Sequence, residues 1–530
     1  MTLTPRNIFA RGMDWKGSTG KMFRGLRTFL SYVGPGYVIA VGYLDPGNWA
    51  TDLAGGSEFG YKLLFVILLA NIVAVMLQSI TVRMGVVTER DLAQNCRHYF
   101  PKWVNWGLYV LAEGAIIATD LAEVIGSAIA LNLLTGLSLP IGVAITGVDV
   151  LIILLFYREG TMRAARILEV TVMVLVSTVA ICFIIQLVYA KPNGADVMAG
   201  YLPSKDLVTN PSMLYVAIGI IGATVMPHNL YLHSHLVQIR AHKNRVQAEA
   251  TDPSHLHGHS NSNTLTRVIR STIKMSVIDT VLALTVALFV NSAILIVAGA
   301  AFFYGGKPPE SVASLFDAHA LLSSTLGKAA GFCFAFALLI AGQSSTLTAT
   351  LAGQVVMSGF IGMTVRPWLR RIVTRALAII PAMIVAIARG SDGLNDLLVA
   401  SQVALSIQLP FAMVPLVALC AMPRVMTVRV NRHNAITIVE GAEDAIGEKV
   451  VEEKEAHVDD LGNAKCCEST VESTVIDPSE EDGNYKQAKT SDLINFANPL
   501  WLTVLGGIAS VIIIGLNVFM VVQAIKGDGA

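Results

Sequence analysis

Two four-residue stretches constrain this chain more than any others: Asp45-Pro46-Gly47-Asn48 and Met226-Pro227-His228-Asn229. Each lies in the middle of a long apolar run, and their prolines are 181 residues apart (227 minus 46). A proline inside a helix removes a hydrogen bond and costs about 3 kcal/mol or more. An aspartate at mid-membrane depth costs roughly 2.5 to 3.5 kcal/mol. A lipid-facing helix cannot carry both defects. Non-helical backbone at that depth is tolerated only where protein or a water-filled cavity surrounds it. Two interrupted helices in corresponding positions of two halves imply an internal repeat with a binding site at the bilayer midplane, as in secondary transporters.

The rest of the chain supplies the membrane. Its 530 residues are 54% hydrophobic and only 14% charged, against roughly 25% charged in a soluble domain. The expected class is an all-α polytopic membrane protein partnered by the lipid bilayer, not by nucleic acid. About eleven segments reach the roughly 20 apolar residues a span needs: 31–56, 61–83, 105–134, 139–157, 166–189, 212–238, 275–300, 323–358, 372–388, 395–422 and 498–525.

Lysine and arginine set the orientation. Arg6, Arg11, Lys16, Lys21, Arg24 and Arg27 face a single early acid, Asp14. An Arg-rich transit peptide would look similar, but the positive-inside rule favours a cytoplasmic basic segment over residues 1–30. The loops at 84–104, 157–166, 240–274 and 358–375 are basic, and the alternate loops are poor in both residues. The N-terminus is therefore expected in the cytoplasm, and eleven spans put the tail 527–530 outside or in a lumen. The membrane is the plasma membrane or an endosomal or vacuolar one. Residues 31–190 and 211–422 read as two five-helix repeats. The loop 423–494 is acidic and reads as disordered, and 495–526 is an eleventh span beyond the repeats. His255, His257 and His259, in the cytoplasmic loop 241–269, are a metal-binding tract or a solvated linker. None of the six cysteines lies in a segment placed outside, so no structural disulfide is expected.

The breaks carry the chemistry. Pro46 and Gly47 unwind the backbone and free carbonyls as ligands, while Asp45 offers an anionic oxygen and Asn48 a neutral one. At the second break Met226 offers a thioether and the carbonyl of Ala223 another oxygen. A set mixing oxygen with sulfur suits a divalent cation of intermediate softness, whereas calcium or magnesium would use oxygens only. Core packing is the alternative for Met226. In the third span, Glu113 and Asp120 nearly eclipse at 100° per residue, with Glu123 about 60° away. Such a buried stripe is a proton relay, or a static salt bridge to an arginine such as Arg375. His228 either handles protons or bonds a freed carbonyl. Gln402 and Gln408 in the tenth span are ligands or interhelical hydrogen bonds, and spacing alone favours the bonds. The small polar run Gly342 to Thr346 permits close helix packing or lines an aqueous path.

Four separated motifs resemble the Nramp family of proton-coupled divalent-metal importers: Asp45-Pro-Gly-Asn48, Met226-Pro-His-Asn-Leu-Tyr-Leu-His233, Thr119-Asp-Leu-Ala-Glu123 and the run from Gly342 to Gln354. The resemblance covers roughly residues 30 to 422. It implies a LeuT-type five-plus-five inverted repeat with helices 1 and 6 broken. It implies that Asp45, Asn48, Met226 and the Ala223 carbonyl bind metal, and it adds Gln402 as a ligand in an occluded state. Proton roles fall to His228, Glu113, Asp120 and Glu123, with Arg240 and Arg375 as network partners. The cargo would be manganese or iron (Mn2+, Fe2+) together with protons, carried by a monomer with no resident cofactor. Two other readings are a receptor that retains such a domain and an amino-acid symporter. A receptor would have lost ligand residues, and Asp45 would repel a substrate carboxylate. No cofactor motif suggests an enzyme.

Overall fold

Asp45 caps the helix that resumes after the break, past helical residues at Ile39 and Gly42. Its side chain accepts a hydrogen bond from the Asn48 backbone N–H at 2.9 Å, and Pro46 takes the first helical position of α1, Pro46–Phe59. A proline there loses no hydrogen bond, because the first amides of a helix have no helical acceptor. Gly60, at φ +62°, ends the helix.

The computed structural model describes residue 39, residues 42–156, residue 178, and residues 181–251, 262–305, 314–362, 367–429 and 493–526. The first half of the first span, most of the fifth, the His255–His259 tract, Cys466, Cys467 and nearly all of the acidic loop lie outside these residues. After α1 come α2 (Leu64–Thr88), a short α3 (Leu92–Tyr99), α4 (Lys102–Thr135), α5 (Leu139–Phe156) and α6 (Ile181–Ala190). The second half holds α7 (Pro211–Thr224), α8 (Pro227–Thr251), α9 (Ser262–Ala298), α10 (Leu315–Leu326), α11 (Lys328–Ile361), α12 (Pro367–Ala388) and α13 (Gly390–Ala421). The last helix is α14 (Leu500–Lys526). Among the described residues, seven spans are long and apolar enough to cross a bilayer. The eighth expected span, 323–358, starts later than its hydropathy suggests. Gly327, at φ +94°, separates α10 from α11.

Long α4 is the hub, packed by α5, α11, α12 and α13, and α1 is enclosed by α4, α7, α9 and α13. Close approach needs small residues: Gly126 on α4 lies against the Pro46 ring, where a β-carbon would overlap it. α14 packs mainly on α13 and leaves Trp501, Val511 and Val518 exposed, the surface a helix offers to lipid. Below it, β1 (Thr427–Arg429) pairs antiparallel with β2 (Leu493–Asn495), Thr427 opposite Asn495, so the two ends of the acidic loop are held together. Cys96, Cys182, Cys333 and Cys420 are free thiols.

Candidate functional site

The second break follows from one missing proton. Pro227 has no N–H, so the Ala223 carbonyl, four residues earlier, has no helical donor. The side chain of Asn48 fills that place: its Nδ2 donates to the Ala223 carbonyl at 3.0 Å and to Asp45 Oδ1 at 2.7 Å. The N-terminus of α1 thus meets the C-terminus of α7 across a single amide. That amide nitrogen bridges two acceptor oxygens, the contacts a cation makes. A helix C-terminus carries partial negative charge, which adds to the attraction for a cation.

Asp45, Asn48, Ala223, Met226 and Gln402 are all buried. Among the described residues, Asp45 Oδ2 and Gln402 Oε1 have no hydrogen-bond partner. The Gln402 side chain lies directly over Gly47, where a β-carbon would displace it. Its Nε2 donates to Ser401 Oγ of the same helix at 3.0 Å. The interhelical hydrogen bond that spacing favours for Gln402 is therefore not formed. Gln408 makes none either: its amide rests against Gly114, and its Oε1 has no partner. Met226 Sδ accepts from Asn229 Nδ2 at 3.6 Å.

The three carboxylates of α4 do not share one partner, because a helix of this length passes several neighbours. Glu113 pairs with Arg370 of α12 at 2.5 Å. Glu123 accepts from Thr346 Oγ1 of α11 at 2.7 Å and lies 3.8 Å from Arg375. Arg375 also donates to the Thr146 carbonyl of α5 through Nε and Nη2, each at 3.2 Å. Asp120 is buried next to Thr119, the residue of α4 that meets His228 of α8. His228 Nδ1 is 3.2 Å from Thr119 Oγ1, whose own proton goes to the Ala115 carbonyl at 3.0 Å. Thr119 is then the acceptor, and Nε2 of His228 is left to take a proton. Arg240 is half-buried about three turns further along α8. Close packing accounts for the small polar run: a β-carbon on Gly342 would crowd Ser127 Oγ.

Several polar residues around the site escaped the sequence reading. Asn291 of α9 donates to Asn48 Oδ1 at 3.5 Å and to the Tyr43 carbonyl at 3.4 Å. Gln78 of α2 links the Tyr43 hydroxyl (3.2 Å) to His233 Nδ1 (2.7 Å). Asp52, two turns beyond Asp45 on α1, is buried with Oδ2 unpartnered. Each is a polar side chain in an apolar run, which is the signal that could have found it.

A carboxylate, an amide, a carbonyl and a thioether are buried where interrupted helices meet inside a multi-pass bundle, the arrangement expected of a membrane transporter. The sequence matches, over residues 36–440, the family described as Nramp, natural resistance-associated macrophage protein-like. The chain belongs to that family. It is 51% identical over 406 residues to the divalent metal cation transporter MntH of Nostoc sp. (strain PCC 7120), covering 76% of this chain and 86% of that one. It is 50% identical over 401 residues to the MntH of Brucella suis biovar 1, covering 76% and 82%. The manganese transporter of Eremococcus coleocola, solved with an aromatic bis-isothiourea compound, superposes with a TM-score of 0.67 at 30% identity, covering 97% of this chain and 90% of that one. The LeuT-type five-plus-five architecture comes with the family. It is a family of transporters, and the protein is not an enzyme.

Proposed function

We propose that the protein is a proton-coupled symporter that imports divalent transition-metal ions, manganese or iron, toward the cytoplasm by alternating access. One observation carries this reading: Asp45 Oδ2 and Gln402 Oε1 are buried without partners beside the Ala223 carbonyl and the Met226 thioether. Unpaired buried oxygens are expensive unless something fills their place. A divalent ion that tolerates sulfur fits them. The MntH relatives and the manganese transporter support the choice of cargo.

The acid–histidine network supports proton coupling. A divalent ion at Asp45 and a proton in the Asp120–His228 region are like charges in one low-dielectric interior, so each disfavours the other. Released protons would pass toward Glu123, Arg375 and the Glu113–Arg370 pair, with Arg240 at the far end of α8. The protein works as a monomer in a plasma, endosomal or vacuolar membrane, with its N-terminus in the cytoplasm and its C-terminus outside or in a lumen. Tags at residues 1 and 530 would test that orientation, and equal labelling from one side of intact cells would refute it. The function is tested by manganese uptake into proteoliposomes. Uptake should quicken when the outside is acid and should be lost in Asp45→Asn. Uptake indifferent to the pH gradient removes the coupling, and no uptake of manganese or iron removes the function.

A further inference from the structure

Helix α13 carries Pro410 and Pro415 in its interior. Pro410 has no N–H, so the Ser406 carbonyl has no helical donor. In a bilayer such a group must find its partner elsewhere in the protein. Asn517, deep in α14, is that partner. Its Nδ2 donates to the Ser406 carbonyl at 2.8 Å across 111 residues of sequence, and its Oδ1 accepts from Ser406 Oγ at 3.3 Å. Both residues are buried. Phe411, Val414, Val518 and Val521 line an apolar groove of about 610 Å3 beside this clamp. Bulk water does not reach Ser406 through hydrocarbon to replace a lost donor.

The clamped turn belongs to the site. Ser406 is one turn beyond Gln402. Gly222 of α7 rests on that same turn, where a β-carbon would overlap the Gln402 carbonyl and crowd Ser406. The next residue, Ala223, presents the carbonyl that meets Asn48. One turn of α13 therefore both bonds to α14 and seats the end of α7.

We propose that Asn517 is a positioning residue of the metal site, and that by bonding Ser406 in both directions it fixes the aim of Gln402 and the seat of the Ala223 carbonyl. This rests on the metal-site reading above, and it gives the helix beyond the five-plus-five repeat a part in transport.

Asn517→Leu keeps the bulk and removes both bonds. In proteoliposomes it should raise the KM for manganese about tenfold, the scale of a lost buried hydrogen-bond pair. Maximal rate should change by less than about twofold, because the bonds belong to ground-state positioning. Pro410→Ala decides the cause. It returns an N–H to position 410, hence a donor for Ser406 inside α13, and it changes no residue of α14. Alone it should be nearly silent. Combined with Asn517→Leu it should restore both the KM and the thermal midpoint of the purified protein. A packing role for Asn517 would not be restored this way. A parental KM in Asn517→Leu, or effects of the two substitutions that simply add, would overturn the proposal. If the unsubstituted protein neither binds nor carries manganese, the metal reading has failed. The clamp is then judged by thermal midpoints alone: restoration by Pro410→Ala keeps it, and additivity removes it.

Discussion

The buried acids of α1 and those of α4 are served in opposite ways. Asp45 is held by neutral groups, among them the Asn48 backbone N–H at 2.9 Å and side-chain amide at 2.7 Å, and its other oxygen has no partner among the described residues. Glu113 and Glu123 on α4 each face a guanidinium, Arg370 at 2.5 Å and Arg375 at 3.8 Å. A buried carboxylate without a cationic partner is costly until a cation arrives. One that already has a fixed cation gains little from a second. On the proposed function, the α1 site receives a mobile ion, and the α4 stripe holds charge and hands protons along it.

Asp45→Asn attacks that contrast most directly. It removes the one anion of the cage and keeps its shape. Manganese uptake should fall about 100-fold or more, the equivalent of about 2.7 kcal/mol of lost attraction. Initial rates in proteoliposomes decide it, and near-parental uptake would mean that the unpaired carboxylate is incidental.

Asp120→Asn should do the reverse. The stimulation of uptake by external acid should drop about tenfold, within the range general acid–base groups contribute. Manganese affinity, measured by calorimetry on the purified protein, should move less than about threefold, since Asp120 is not in the cage. A mutant with the parental pH profile would make the stripe a structural feature.

Met226→Ala tests the selectivity of the cage. The thioether is useful to manganese or iron and poor for calcium and magnesium. Water can replace the sulfur, so manganese affinity should fall only about three- to tenfold, roughly 1 kcal/mol. Competition by calcium and magnesium should rise, since the hard ions regain an oxygen. Uptake of manganese against rising calcium or magnesium is the assay. Lost manganese uptake with no added competition would reduce Met226 to a packing residue or a simple affinity ligand.

The smallest effect is expected from Thr346→Val, which keeps shape and deletes the 2.7 Å hydrogen bond to Glu123. An acceptor left short in the interior costs about 1 to 3 kcal/mol, read as a lower thermal midpoint. Arg375 remains, so transport should persist. Loss of transport with an unchanged midpoint would place Thr346 in the proton path itself.

The breaks and the buried polar side chains at them and along α4 were legible in the sequence because each violates what a lipid-facing helix can be. A proline, an aspartate or a glutamate in an apolar run demands an explanation at that position. Gln402 was less legible. An amide in a helix satisfies a ligand role and a hydrogen-bond role equally, and the interhelical bond that spacing favoured is not formed among the described residues. The partners of Glu113 and Glu123 were only half legible: Arg375 was expected for the stripe as a whole, but Arg370 takes Glu113 because α4 presents its acids to different neighbours along its length.

The final helix marks where sequence stops and tertiary structure begins. The sequence alone determined that Pro410 leaves the Ser406 carbonyl without a donor and that Pro227 does the same to Ala223, because a missing N–H is covalent and local. It also determined that Asp45 and Pro46 can start a helix. Which group answers each freed carbonyl was decided only by folding. Asn48 reaches Ala223 across 175 residues, and Asn517 reaches Ser406 across 111. A hydrogen bond acts over about 3 Å, and that proximity exists only once the helices have packed.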